Sequence, residues 1–224
     1  MKLPSPVVDY RAFRCHKLNT PEYRHLLWLL FWPVYTLRYF IIESLNPASG
    51  YTVIHCALDD KIPFCEGFLI FYFGWYLCIV GTHLFTALYD LDTYKRYSKF
   101  LVLAMSISTM IFLLFPSCQE LRPETFPRDN VLTKTVGLLY MLDDNTNVCP
   151  SEHVIGAFAV LAAAWNCKYL RSPGRLACIF VLTVLISVST VFLKQHSVLD
   201  MLAALPVCAV AYYFSFGKNR SAPD

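Results

Sequence analysis

Residues 147–153 read Asn-Val-Cys-Pro-Ser-Glu-His, and residues 194–200 read Lys-Gln-His-Ser-Val-Leu-Asp. Each segment begins a long apolar run and places a histidine at the start of that run. His196 and Asp200 are four residues apart, so on a helix they share one face. A carboxylate one turn from an imidazole can hold one ring N–H and leave the other ring nitrogen free to attack or to accept a proton.

The first of these segments has the features of a helix start. Pro150 and Ser151 precede the apolar run, and Ser151 is the predicted N-cap. The free N–H groups and the positive dipole end at such a position suit a phosphate oxygen. Two histidines, a carboxylate and this anion site could therefore form a phosphoryl-transfer centre without a metal ion or another cofactor.

The composition indicates an integral membrane protein. Of 224 residues, 56% are hydrophobic and only 16% are charged, and the mean hydropathy is +0.46. A net charge of +3 gives no electrostatic support for nucleic-acid binding. Residues 1–24 are polar and basic, so we expect no cleaved signal peptide and an insertion signal within the first apolar run.

The apolar runs predict an all-α protein, a single membrane domain over residues 1–224 with six transmembrane helices. Each run is near the roughly 20 residues that a bilayer crossing needs. The six lie at 25–42, 67–89, 100–116, 153–170, 175–193 and 197–216. Residues 117–150 form the longest polar connection, and 131–142 within it are apolar enough for a short helix at the membrane surface.

The basic residues predict the orientation. Thirteen lie on one side of the predicted membrane: Lys2, Arg11, Arg14, Lys17, Arg24, Lys95, Arg96, Lys99, Lys168, Arg171, Arg175, Lys218 and Arg220. Five lie on the other: Lys61, Arg122, Arg128, Lys134 and Lys194. The positive-inside rule then places both termini, including residues 1–24, in the cytoplasm. His153, His196 and loop 117–150 lie on the external side, and we expect the plasma membrane.

The two histidine segments resemble motifs of the type 2 phosphatidic acid phosphatase family. Cys-Pro-Ser-Glu-His at 149–153 is similar to the family's P-S-G-H motif, and 189–200 (STVFLKQHSVLD) is similar to its S-R-x5-H-x3-D motif. The resemblance covers roughly residues 117–205. It implies a six-helix membrane fold that hydrolyses lipid phosphates through a phosphohistidine.

The resemblance also implies roles for individual residues. His196 would attack phosphorus, Asp200 would orient and charge-balance it, and His153 would protonate the departing alkoxide. Ser151 would hydrogen-bond a phosphate oxygen. Because His196 must be neutral and His153 charged, these roles predict a bell-shaped pH profile.

The chain departs from the family pattern at three places. Glu152 replaces the glycine of the first motif, so it must point away from the anion site or moderate its affinity. Thr190 replaces an arginine that would clamp phosphate, and Lys194 could supply that charge as a point donor. In the family's K-x6-R-P motif only the second half remains, at 122–123, because Phe115 stands where lysine is expected.

Arg122 is therefore the predicted phosphate ligand from loop 117–150, and Arg128 in the same loop is the reserve. Arg122 and Lys194 could instead be solvated interfacial charges. Asp200 within an apolar run costs about 2.5–3.5 kcal/mol at mid-membrane, which indicates a partner and a function. Cys118 and Cys149 flank one loop and could pair in an oxidising compartment, or remain free thiols.

The sequence thus predicts an enzyme that cleaves a lipid phosphate ester at the external membrane face. By resemblance, its substrate is phosphatidate, phosphatidylglycerol phosphate or a polyprenyl diphosphate. One alternative is a phosphotransferase that passes the phosphoryl or phospho-headgroup from His196 to an alcohol. Another is a transporter or lipid-binding protein with a degenerate site. The sequence does not decide between these, nor does it give the oligomeric state.

Overall fold

The computed structural model describes residues 5–45 and 50–217, without the side chains of residues 43 and 44. Three basic residues used for the orientation, Lys2, Lys218 and Arg220, lie outside the described residues. Helices make up 68% of the described residues and strands 2%, so the predicted all-α class is confirmed.

Within the described residues, seven α-helices follow one another: α1 (Phe31–Leu45), α2 (Leu69–Tyr89), α3 (Leu91–Leu114), α4 (Val131–Leu142), α5 (Glu152–Asn166), α6 (Pro173–Phe192) and α7 (Val198–Tyr212). A 3-10 segment, Arg24–Leu30, leads into α1, and a π-helical turn, Tyr213–Gly217, extends α7. Two short strands, β1 (Thr52–Val53) and β2 (Ser117–Cys118), pair in parallel and join the loops after α1 and α3.

Five helical segments are long and apolar enough to cross a membrane: Arg24–Ile42, Glu66–Tyr89, Leu91–Leu114, Pro173–Phe192 and Val198–Gly217. They match five of the six predicted spans and are consistent with an integral membrane protein. The remaining predicted span, the fourth in chain order at 153–170, corresponds to α5. This helix has only 15 residues and a length of about 22 Å. The six-span count therefore remains a prediction.

Helix α5 lies inside the bundle, where α2, α3, α6 and α7 surround it. Nine of its residues are buried, and most of these are alanine, glycine or valine. Small side chains let neighbouring helices approach closely without leaving voids. At Gly156 the Trp75 indole of α2 occupies the space that a side chain would need.

The third helix begins nine residues earlier than the predicted span. Asp90 alone separates α2 from α3, and its carboxylate accepts a hydrogen bond from Thr93 N at 3.1 Å, which caps α3. The basic residues between 95 and 99 therefore lie on a helix and not in a loop. Because these residues are polar, the hydropathy pattern did not indicate that the helix includes them.

The bundle has two chemically different ends. The N-terminal segment packs on the α2–α3 turn, where the Tyr10 hydroxyl donates to Ala87 O at 2.8 Å. Lys99 near the start of α3 donates to Phe214 O after α7 at 2.9 Å. The basic segments thus gather at one end, and the starts of α5 and α7, with His153 and His196, lie at the other.

The predicted short helix 131–142 is present as α4 with the same limits. Asn130 and Thr133 form a capping box, in which each side chain accepts a hydrogen bond from the other residue's N–H at 3.0 Å. The prediction of this helix was based on its apolar composition, and the capping box explains why the helix begins at Val131.

Replacing Gly156 with alanine should destabilise the protein by about 1–3 kcal/mol, because the added methyl group overlaps Trp75 in a closely packed core. Thermal unfolding in detergent measures the change. Gly81→Ala is the matched control, since Gly81 lies within α2 with open space at its Cβ position. Equal unfolding temperatures for the two variants would contradict the packing argument.

Candidate active site

The start of α7 fixes the orientation of His196. Ser197 and Asp200 form a capping box, in which Asp200 Oδ2 accepts a hydrogen bond from Ser197 N at 2.9 Å. The same oxygen lies 3.3 Å from His196 Nδ1. Asp200 is fully buried. Because Nδ1 faces this carboxylate, Nε2 is the nitrogen of His196 left for chemistry.

The start of α5 lies directly against that of α7. Ser151 is the N-cap of α5, as predicted, and its N–H donates to Asp200 O at 3.1 Å. The peptide bond that precedes Pro150 is cis. The Ser151 hydroxyl is fully buried, caps no N–H of α5 and has no hydrogen-bond partner in the structure. It is thus free to bind a ligand oxygen.

His153 and His196 face each other across a short gap. Their ring centroids are 6.4 Å apart, which is close enough for both rings to contact one phosphate group. The His153 ring packs on Tyr72, at 4.0 Å between centroids, and on Trp75, at 4.6 Å. Its Nε2 is buried without a hydrogen-bond partner in the structure.

Both histidines line a cavity of about 1010 Å³. Asp143, Asn147 and Gln195 lie with them at its polar end, and aromatic and aliphatic side chains of α1 and α2 form most of the remaining wall. An apolar cavity with a few convergent polar groups is typical of a ligand site. Its shape and chemistry fit a molecule with a polar head and an apolar body.

Glu152 points away from the anion site at the start of α5. Its carboxylate forms an ion pair with Arg38 of α1, with Nη–Oε distances of 3.0 and 3.2 Å, and it accepts a hydrogen bond from the Tyr35 hydroxyl. Arg38 also donates to Thr109 at 2.7 Å. The Arg38 charge thus neutralises the extra carboxylate that distinguishes this chain's motif.

The structure does not bring Arg122, Lys194 or Arg128 to the cavity. Arg122 donates to Tyr140 O, Asp143 O, Asp144 O and the Gln195 amide oxygen, at 2.6–3.1 Å. Through these hydrogen bonds its guanidinium holds the loop before α5 in place. The role of Arg122 as a phosphate ligand stays a prediction: its Nη donors have protein acceptors, whereas its buried Nε has none among the described residues.

The Lys194 amine is buried and donates to Asp59 O and Ile62 O, at 2.8 and 2.6 Å, and burial lowers its pKa. Arg128 forms a two-point ion pair with Glu66, at 2.7 and 2.6 Å. Both side chains thus hold loops beside α2. Thr190, at the position of the motif arginine, is fully buried, and its hydroxyl donates to Ser187 O.

Asp59 is a positioning residue that no feature of the amino-acid sequence singles out. Its fully buried carboxylate accepts hydrogen bonds from Ser197 Oγ at 2.6 Å and from Val198 N and Cys56 N at 2.8 Å. Burial opposes the charged form, but these donors outweigh it and lower the pKa of Asp59. Asp59 thus ties the start of α7 to the loop after α1.

Asp143, at the end of α4, is the second residue that sequence reasoning missed. Its Oδ2 lies 3.2 Å from both the Tyr72 hydroxyl and Gln195 Nε2. Burial raises the pKa of this carboxyl, and the charge of nearby His196 opposes that change. An aspartate in a polar loop is common, so no sequence signal separated Asp143 from its neighbours.

The cysteines and acidic residues add no further site within the part of the chain that the structure describes. Cys118 and Cys149 are free thiols. Burial and the adjacent Asp200 carboxylate raise the pKa of the Cys149 thiol to about 12. Across residues 5–45 and 50–217, no group of three or more His, Cys, Asp or Glu side chains is placed to hold a metal ion.

A family model described as the PAP2 superfamily matches residues 97–220, which is more than half of the chain. The match includes both histidine segments and helices α4–α7, and it confirms the resemblance read from the two motifs. No curated protein and no solved structure matches the chain.

Replacing Asp59 with asparagine should lower the unfolding free energy at neutral pH by about 1.5–3 kcal/mol, because charge-assisted hydrogen bonds to the start of α7 are lost. The lowered pKa makes this stabilisation present above the ordinary carboxyl pKa and lost as pH falls below it. The difference between wild type and variant should therefore shrink in acid.

Unfolding curves between pH 3 and 7 measure this difference. Asp60→Asn is the matched control, because Asp60 is exposed and bonds only to His55 among the described contacts of its carboxylate. A difference for Asp59→Asn that stayed constant over this pH range would contradict the assignment.

Proposed function

Since the chain belongs to the PAP2 superfamily, we propose that it cleaves a phosphate ester of a membrane lipid through a phosphohistidine on His196. Members of this superfamily are phosphatases that generally need no metal ion. The observation that carries the proposal is the approach of His153 and His196, 6.4 Å apart, at the polar end of an otherwise apolar cavity.

The reaction begins with attack by His196. Asp200 holds Nδ1, so Nε2 attacks phosphorus and the bond from phosphorus to the lipid oxygen breaks. His153 gives its proton to the departing alkoxide, a step typically worth roughly 10²–10⁴-fold in rate. The Ser151 hydroxyl, which has no hydrogen-bond partner among the described residues, donates to a phosphate oxygen beside the positive end of α5. Water then attacks the phosphohistidine and releases phosphate.

The orientation follows from the distribution of charge. The basic segments gather at the end of the bundle away from the histidines, and the positive-inside rule assigns that end to the cytoplasm. We therefore infer that both termini are cytoplasmic and that the cavity opens at the external face of the plasma membrane. Apolar walls on α1 and α2 would let the lipid tails remain in the bilayer while the phosphate reaches His196.

His196→Ala should abolish turnover, and His153→Ala should lower kcat by roughly 10²–10⁴-fold because the leaving group must depart unprotonated. Phosphate release from a panel of lipid phosphates in detergent micelles measures both, with and without EDTA, which should have no effect. His55→Ala is the control, since this exposed histidine pairs with Asp60 away from the cavity. Full activity of His196→Ala would contradict the mechanism.

Lipid carrying a labelled phosphate separates hydrolysis from transfer to an alcohol, which use the same phosphohistidine. Hydrolysis yields free labelled phosphate, whereas transfer places the label in a new lipid. Binding without either product, in wild type and His196→Ala alike, would indicate a transporter or lipid-binding protein.

The specificity constant kcat/KM should follow a bell-shaped pH profile, because the nucleophile His196 must be neutral and the acid His153 must be charged. Removing His153 should abolish the alkaline limb and keep the acidic one. Initial rates between pH 5 and 9 measure the profile. A flat rate over this range would contradict the assignment of opposite protonation states.

A further inference from the structure

The cavity holds a carboxylate that the proposed reaction does not use. The Asp143 side chain lies at the polar end with His196, and its partners are the Tyr72 hydroxyl and the Gln195 amide, both at 3.2 Å. Among residues 5–45 and 50–217, no lysine or arginine forms an ion pair with this carboxylate. Arg122 bonds the backbone oxygen of Asp143 and reaches its carboxylate only through Gln195.

The carboxylates on the cavity wall favour a ligand that also carries a positive group. The acidic side chains that line it are Asp143, Asp144 and Glu152, and the basic side chain among its described lining residues, Arg38, is paired with Glu152. A phosphate monoester brings close to two negative charges to this wall. A phosphodiester brings one, and an ammonium group on its far side makes the headgroup neutral overall.

An exposed aromatic ring on the same wall is suited to a cation. Tyr76 lines the cavity, and 50% of its surface is exposed. Its ring lies beside His153, at 6.2 Å between centroids. The faces of aromatic rings attract ammonium groups.

Resting on the proposed function, we propose that Asp143 selects zwitterionic phospholipids, whose ammonium headgroup lies against its carboxylate and the ring of Tyr76 while the phosphate faces His196. His196 Nε2 then forms a bond to phosphorus, the bond from phosphorus to the diacylglycerol oxygen breaks, and His153 protonates that oxygen. The phospho-headgroup stays on His196 until water or an alcohol attacks phosphorus and releases it.

Direct binding tests this proposal without turnover. Detergent-solubilised His196→Ala protein is titrated with dihexanoyl phosphatidylcholine, dihexanoyl phosphatidylethanolamine and dihexanoyl phosphatidate, each below its micelle concentration, and Trp fluorescence reports occupancy. We expect one or both zwitterionic lipids to bind at least about tenfold more tightly than phosphatidate, as expected for one well-placed charge pair. Comparing phosphatidylcholine with phosphatidylethanolamine distinguishes a preference for a quaternary ammonium group from a preference for a primary one.

The same titration with Asp143→Asn added should remove this preference, by weakening the zwitterionic lipids about tenfold and leaving phosphatidate unchanged or tighter. Asp129→Asn is the matched control, because Asp129 is exposed and pairs with Lys134 in the same loop region. Two results would overturn the proposal. One is an equal loss of affinity for all three lipids in Asp143→Asn, and the other is that the Asp143-containing protein binds phosphatidate more tightly than the zwitterionic lipids.

If Asp143→Asn does not fold, the relative affinities of the zwitterionic lipids and phosphatidate for the Asp143-containing protein still test the proposal. Failure of the proposed function is distinguishable, because the wild-type protein would then release neither phosphate nor phospho-headgroup from any of these lipids, while this binding preference could still be present.

Discussion

The N–H of Ser151 donates a hydrogen bond to the carbonyl of Asp200, and this bond joins the starts of two helices that are distant in sequence. Each helix start carries one histidine of the candidate site. A buried backbone group left without a partner costs about 1–3 kcal/mol, so the two starts have one favoured arrangement. The separation of His153 and His196 follows from this contact together with the buried carboxylates of Asp59 and Asp200.

Features that depend on neighbours in the chain were predictable from sequence. The apolar composition of residues 131–142 gives the limits of α4, and the four-residue spacing of His196 and Asp200 gives their shared helix face. Hydropathy locates the apolar parts of the spans. It fails at the start of α3, because the helix continues through a basic segment that packs at the end of the bundle.

Features that depend on distant partners were not predictable. Lys194 and Arg128 were assigned to phosphate because both are basic and near the motifs, but Lys194 bonds the Asp59 loop and Arg128 bonds Glu66. A positive charge in a loop does not reveal which acceptor it meets. Asp59 and Asp143 were missed for the same reason, since their importance comes from residues on other helices.

The ion pair between Arg38 and Glu152 explains how the departure from the family motif is compatible with an anion site. Charged side chains are expensive in the low-dielectric surroundings of a membrane bundle unless they are paired. Arg38 satisfies Glu152 with two hydrogen bonds and meets Thr109 with a third. Because the pair is neutral overall, the positive dipole end of α5 beside Ser151 is not cancelled by the adjacent carboxylate. The same contact attaches α1, which carries one apolar wall of the cavity, to the helix that carries His153.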